Sequence, residues 1–122
     1  MTEIDLATID QIVLGHTVAL VRVGEGGGIV TIEGDFTVRR GDEEVHVAPE
    51  ALADGGAVLL GLLHQPVHAA TVEEDGSLRL EIGEAVVTVP PSAHFEAWNY
   101  VADDGRRVVC MPGGRLAVWP EN

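Results

Sequence analysis

The stretch HFEAWNYVADDGRRVVCMPGGRLAVW, residues 94–119, decides how this chain folds. It holds both tryptophans, the only tyrosine, one of the two phenylalanines and the only cysteine. Asp104-Gly105 and Gly113-Gly114 read as two-residue hairpin loops, because Gly, Asp and Asn tolerate the positive φ that such loops demand. Three antiparallel strands result. In that register Asp103 faces Arg106, Val101 faces Val108, Tyr100 faces Val109 and Trp98 faces Met111. Across the second turn Met111 faces Leu116, Val109 faces Val118 and Val108 faces Trp119. Alternation then gathers Trp98, Tyr100, Val109, Met111, Leu116 and Val118 on one face, and Ala97, Asn99, Val101, Val108, Cys110, Ala117 and Trp119 on the other. The first face is bulkier and is assigned to the core. The second is too apolar to stand bare and calls for cover from a helix or a partner.

Working back from this meander, the pattern stays β. Pro90-Pro91 breaks the ladder. Before it, Gly83-Glu84 joins Leu78–Ile82 to Ala85–Val89, with Leu78 facing Val89, Leu80 facing Val87 and Ile82 facing Ala85. Asp75-Gly76 joins Val67–Glu73 to the same hairpin, with Ala69 and Thr71 on the inner side. Residues 67–119 thus read as a six-strand run of hairpins. Near the start, residues 1–10 read as a loose lead-in and Gln11 to Val23 as a strand with a bulge at Gly15. Glu25-Gly26-Gly27-Gly28 is a hairpin tip; it lacks the GK[ST] and following helix of a phosphate loop. Ile29–Glu33 and Asp35–Arg40 follow, broken at Gly34, with Val30, Ile32, Phe36 and Val38 on one face. Gly41-Asp42 then turns the chain into Glu43–Val47. There Arg40 faces Glu43, Arg39 faces Glu44, Val38 faces Val45 and Phe36 faces Val47. Two opposite-charge pairs outside and two apolar pairs inside fix that register.

Residues 49–64 lose the alternation and hold the densest leucine cluster, which predicts one short helix of two to three turns. Pro49 opens a turn, Asp54 caps, Leu59, Leu60 and Leu63 share a face, and Pro66 ends it. The fold class is mainly β, a β-rich α+β: antiparallel hairpins and meanders in a curved sheet, roll or sandwich, with that helix as a lid. All 122 residues read as a single domain.

Twenty acids stand against seven bases, all arginine, for a net charge of −13. That balance reads either as a feature for solubility or as a surface that repels nucleic acid and anionic membranes and attracts a basic protein, and no basic footprint for nucleic acid is visible. The N-terminus lacks a basic segment followed by an apolar core, and the longest apolar run is too short to span a bilayer, so a cytoplasmic location is expected. A lone cysteine excludes an internal disulfide, and Cys110 in a strand reads as a small buried residue.

No catalytic signature stands out, and no cofactor is implied. His64 and His68 have the i, i+4 spacing of a helical metal clamp, but Pro66 between them prevents one helix from presenting both. His46 points to solvent opposite Thr37. His94 and Glu96 would share a strand face with Trp98 and Tyr100, which makes a pocket near His94, Glu96 and Trp98 the candidate for acid–base or small-molecule chemistry. After the packed residues are assigned, His94, Glu96 and Trp119 remain as the candidate binding residues.

The segments FEAWNYV, RRVVC, PGG and LAVW resemble the C-terminal signature of a small bacterial domain family of unknown function, (aromatic)-E-A-W…G…PGG-x-L-x-W. The matching positions are Phe95, Glu96, Ala97, Trp98, Gly105, Pro112, Gly113, Gly114, Leu116 and Trp119, and Asp75 to Gly83 is similar to a further element. The resemblance covers about the last two-thirds of the chain and implies a fold of one helix plus paired strands, with no activity attached. In size and acidity the chain also resembles immunity proteins of bacterial polymorphic toxin systems, without a shared motif. Three functions follow as expectations: a non-enzymatic binder of a basic toxin domain, a small-molecule or enzymatic domain, and a homo-oligomeric adaptor, a homodimer in its simplest form.

Overall fold

The computed structural model describes residues 4–53 and 55–120. Among the described residues, eleven strands and one helix are ordered β1 (Gln11–Leu14), β2 (Val18–Arg22), β3 (Gly28–Ile32), β4 (Phe36–Arg40), β5 (Glu43–Val47), α1 (Gly56–Leu60), β6 (Val67–Val72), β7 (Leu78–Ile82), β8 (Ala85–Val89), β9 (Trp98–Ala102), β10 (Arg107–Cys110) and β11 (Leu116–Trp119). They form two antiparallel sheets: six strands in the order β1-β2-β3-β9-β10-β11, and five in the order β5-β4-β8-β7-β6. The six-strand run expected over residues 67–119 is split between them, because the chain changes sheets at Pro90-Pro91. Proline offers no N–H to continue a ladder. It also changes sheets at Gly34, so Val30 and Ile32 face the core from one sheet while Phe36 and Val38 face it from the other.

The inward residues of both sheets form one buried cluster around Trp98, Tyr100 and Phe36. The Gly41-Asp42 and Gly83-Glu84 hairpins keep the expected registers. The closing meander does not. Ala102 N–H donates to the Arg106 carbonyl and Met111 N–H to the Arg115 carbonyl, so each loop holds three residues. A three-residue loop needs its last residue in the left-handed region, and Gly105 and Gly114 supply φ of +96° each. Each added loop residue shifts the pairing by one: Val108 faces Tyr100 and Val118, and Arg107 faces Val101 and Trp119. A one-residue slip exchanges the two faces of a strand. Val108 and Cys110, not Val109 and Met111, therefore join Trp98 and Tyr100 inside, while Leu116 and Val118 keep their side because two slips cancel.

Other expectations shift for related reasons. Gly15 lies in a turn between β1 and β2, with Leu14 paired to Val18, and is not a bulge. The irregularity falls instead between Val67 and Ala69 in β6, which turns Ala70 and Val72 inward in place of Ala69 and Thr71. From Ile4 on the N-terminal segment is not loose: Ile4, Leu6 and Ile9 are buried, Ile9 N–H donates to the Gln65 carbonyl and Val67 N–H to the Ala7 carbonyl; residues 1–3 of the expected lead-in lie outside the described residues. Helix α1 has only five residues, shorter than the two to three turns expected within residues 49–64, since Gly55, Gly56 and Gly61 weaken it from both ends. Leu59 and Leu62 enter the core and Leu60 is 64% exposed, so the helix plugs the core rather than covering an outer sheet face. The Ala48–Ala51 turn holds Pro49 as expected; Asp54, the expected cap, lies outside the described residues.

The outer faces of the sheets differ in kind. Across the six-stranded sheet, directly opposed residues run Gln11, Val21, Ile29, Val101, Arg107, Trp119 in one row. The next row is Val13, Ala19, Thr31, Asn99, Val109, Ala117. Across the five-stranded sheet the rows are His46, Thr37, Thr88, Arg79, Thr71 and Glu44, Arg39, Val86, Glu81, Ala69.

Candidate functional site

The two crossings between sheets meet. Both Glu33 N–H and Gly34 N–H donate to the Ala97 carbonyl, at 2.8 and 3.1 Å. This clamps the β3–β4 crossing to the β8–β9 crossing and leaves the intervening side chains around a cleft of about 440 Å³. Its walls are Glu33, Gly34 and Asp35 from the first crossing, Pro90, Pro91, Ser92 and Phe95 from the second, and Glu50 from the segment after β5. A smaller depression of about 260 Å³ adjoins it, lined by His16 and Thr17 of the β1–β2 turn with the same Glu33, Glu50 and Phe95.

Phe95 is the organising residue. It lies close to Gly34, where an added Cβ would sit 3.5 Å from the Phe95 ring, yet it is 45% exposed. Phe36, the other phenylalanine, is fully buried. Two prolines in succession prevent residues 90–97 from pairing as a strand, so Phe95 is free to turn outward. Three carboxylates, Glu33, Asp35 and Glu50, line the cleft with it, and no arginine does. Asp35 Oδ2 lies 3.2 Å from His46 Nε2. Among the described residues no group of three or more His, Cys, Asp or Glu is placed to hold a metal ion.

His94 and Glu96 flank Phe95 in sequence and are exposed. They precede β9 and do not extend its strand face, so alternation with Trp98 does not apply to them. His94 N–H donates to Ser92 Oγ at 3.1 Å, which bends the segment. Trp98 is fully buried, its indole N–H donating to the Gly76 carbonyl at 2.9 Å; the cleft wall is Phe95, not Trp98. Trp119 stands elsewhere, on the outer face of the edge strand β11. The Arg107 guanidinium carbon lies 5.6 Å from its ring centroid, a cation–π contact across the strand pair. The three residues picked out by sequence are therefore not brought together. Phe95 was within reach of sequence reasoning: it is one of few aromatics, and it follows a double proline. Glu33, Asp35 and Glu50 were not, since only the crossing of two distant segments gathers them.

Cys110 is buried, and its thiol lies 3.5 Å from the Gly76 carbonyl. Burial, and then the charge of Asp75, push its pKa up. At neutral pH it is a protonated packing group. His64 and His68 are both exposed, and His64 has φ of +67° where the chain leaves the helical segment. No helix among the described residues is long and apolar enough to cross a membrane.

The model of a family described as a family of unknown function, DUF6188, matches residues 1–120. No curated protein and no solved structure matches the chain.

Proposed function

Since the chain belongs to the DUF6188 family, which carries no assigned function, its own site is the starting point, and we propose that it is a non-enzymatic domain that binds a basic protein. The observation behind this is the half-exposed Phe95 set among Glu33, Asp35 and Glu50. An aromatic face ringed by carboxylates suits an arginine or lysine side chain. The ring quadrupole attracts the cation, the carboxylates neutralise it, and the cleft desolvates it in part. The net charge of −13 steers a basic partner toward the chain from a distance. A cationic toxin domain, neutralised in the cytoplasm by an immunity protein of this kind, is the partner class that combines small size, acidity and tight capture.

The test is calorimetry with an arginine-rich basic protein domain, at two salt concentrations. Phe95→Ala, and separately Glu33→Lys with Glu50→Lys, are expected to weaken binding at least tenfold, on the order of 1.4 kcal/mol or more. Affinity should fall as salt rises. Wild-type affinity in both variants would remove the cleft from consideration.

A further inference from the structure

We propose that the outer face of the six-stranded sheet is the interface of a reversible homodimer, the occupant being a second copy of this chain. The proposal is independent of the cleft and of what the cleft binds.

Charge is the first argument. In a chain of net charge −13, the twelve outer-face positions set out above include no carboxylate and one charged residue, Arg107. Four of the ten on the five-stranded sheet are Arg or Glu. A basic partner gains nothing from a face without acids, and nucleic acid is repelled by the chain as a whole. For a second copy, also acidic, this is the approach that puts no carboxylate into the contact and leaves the acids of both copies in water at the rim. An unpaired carboxylate buried between copies would be costly.

Apolar exposure is the second. Val13, Ile29, Val101 and Trp119 are 55%, 41%, 37% and 49% exposed on this one face. Val109, beside them, is already 3% exposed and lies outside the main core cluster, so the face carries its own small apolar centre.

The third argument is size. Six strands ~4.8 Å apart, with about five residues at ~3.4 Å each, give a face of ~500 Å². Two copies bury ~1,000 Å², the lower bound for a specific interface, so the dimer is a weak one with a dissociation constant about micromolar or higher. The sheet edges agree: β1 and β11 carry no charged residue, whereas β5 begins with Glu43-Glu44 and β6 is kinked by its irregularity. Charges and bulges are devices that keep edges apart, and the six-stranded sheet lacks both.

Sedimentation of the full chain from about 1 µM to 1 mM tests this, since that range brackets the expected constant. The expected result is a monomer–dimer equilibrium that strengthens at least threefold with added salt, because screening relieves repulsion between two acidic chains. Binding of a basic partner has the opposite salt dependence, so the two proposals fail separately. Ile29→Glu and Val101→Lys should each abolish the dimer, while Val86→Lys, on the outer face of the other sheet, should leave it intact. Trp119 fluorescence covers the case of a variant that does not fold. In the wild type its emission should shift to the blue with concentration, while Trp98 is buried throughout. A monomer at every concentration, an unmoved Trp119 emission, a dimer that survives Ile29→Glu and Val101→Lys in folded protein, or a monomer that binds zwitterionic phosphatidylcholine vesicles instead would each overturn the proposal.

Discussion

The two sheets share a core but treat water differently. The five-stranded sheet has a polar outer face on which Arg79 and Glu81 pair at 2.8 Å and Arg39 stands opposite Glu44. Its hydrophobic residues alternate inward most cleanly in β7, where Leu78, Leu80 and Ile82 are fully buried. The six-stranded sheet is apolar on both sides. Its inner face carries Trp98 and Tyr100 and its outer face carries Ile29, Val101 and Trp119. One sheet ends at solvent; the other is left half covered. The lesson is that clean alternation marks a sheet whose outer face suits water, and its loss marks one whose outer face leaves apolar area exposed.

Beside the clamp at the Ala97 carbonyl, the sheets meet closely at Gly76, and breaking that contact should have the largest effect. Gly76, in the β6–β7 turn, has φ of +93° and lies against Gly114 of the β10–β11 turn, whose Cα would be 2.7 Å from an added Cβ. Its carbonyl accepts from both the Trp98 indole and the Cys110 thiol. Gly76→Ala combines backbone strain with a clash against backbone and should cost about 3 kcal/mol or more, visible as a lower urea midpoint or failure to fold.

A smaller effect sharpens the contrast between the two aromatic anchors. Trp98→Phe leaves the Gly76 carbonyl short of its N–H donor and opens a small void, for about 1–3 kcal/mol. Phe36→Leu, with no polar group at stake, should stay below about 1.5 kcal/mol. Equal losses in denaturant melts would mean that the hydrogen bond to Gly76 contributes nothing.

Titration gives a smaller effect, and lowered carboxyls belong to both sheets: Asp75 in the β6–β7 turn and Asp10, which accepts from the Val23 N–H beside β2. The backbone N–H of Ser77, 2.8 Å from Asp75 Oδ1, and then the Ser77 side chain hold the Asp75 carboxyl below its ordinary value. A depressed carboxylate stabilises above the unfolded pKa, about 4, and that contribution is lost as pH falls through the folded value. Burial pushes up the pKa of Tyr100, and burial with Asp75 that of Cys110, both in the six-stranded sheet. Their contribution is complete below about 8.5 and is lost as pH rises through the folded values. Asp75→Asn should therefore weaken the acid limb of a stability–pH curve, with Asp10 supplying the rest; it should also soften the alkaline limb by removing the charge that helps raise the Cys110 thiol, while the burial of Tyr100 keeps the rest of that limb.

The smallest change in stability tests the comparison most directly. Arg79→Val with Glu81→Val removes a partly exposed pair worth at most about 1 kcal/mol. It should barely move the melting temperature, yet give the five-stranded sheet an apolar outer face and a new tendency to associate. A double variant whose association matches the wild type in light scattering would show that face composition does not control contact here.

The sequence by itself determined most of the strands, the glycine turns other than the one at Gly15, the Arg39–Glu44 hairpin and the breaks at Gly34 and Pro90-Pro91, because these rest on local φ preferences and on alternation within a few residues. Tertiary structure decided the rest. A D-G or P-G-G turn is satisfied by two loop residues or three; only the fit of Val108 and Cys110 beside Trp98 and Tyr100 selects three. Which sheet a strand joins depends on pairings such as β3 with β9, whose members are distant in sequence and leave no local mark. Phe95 and its carboxylates share that origin: each segment looks ordinary alone, and the cleft exists only where the two crossings meet.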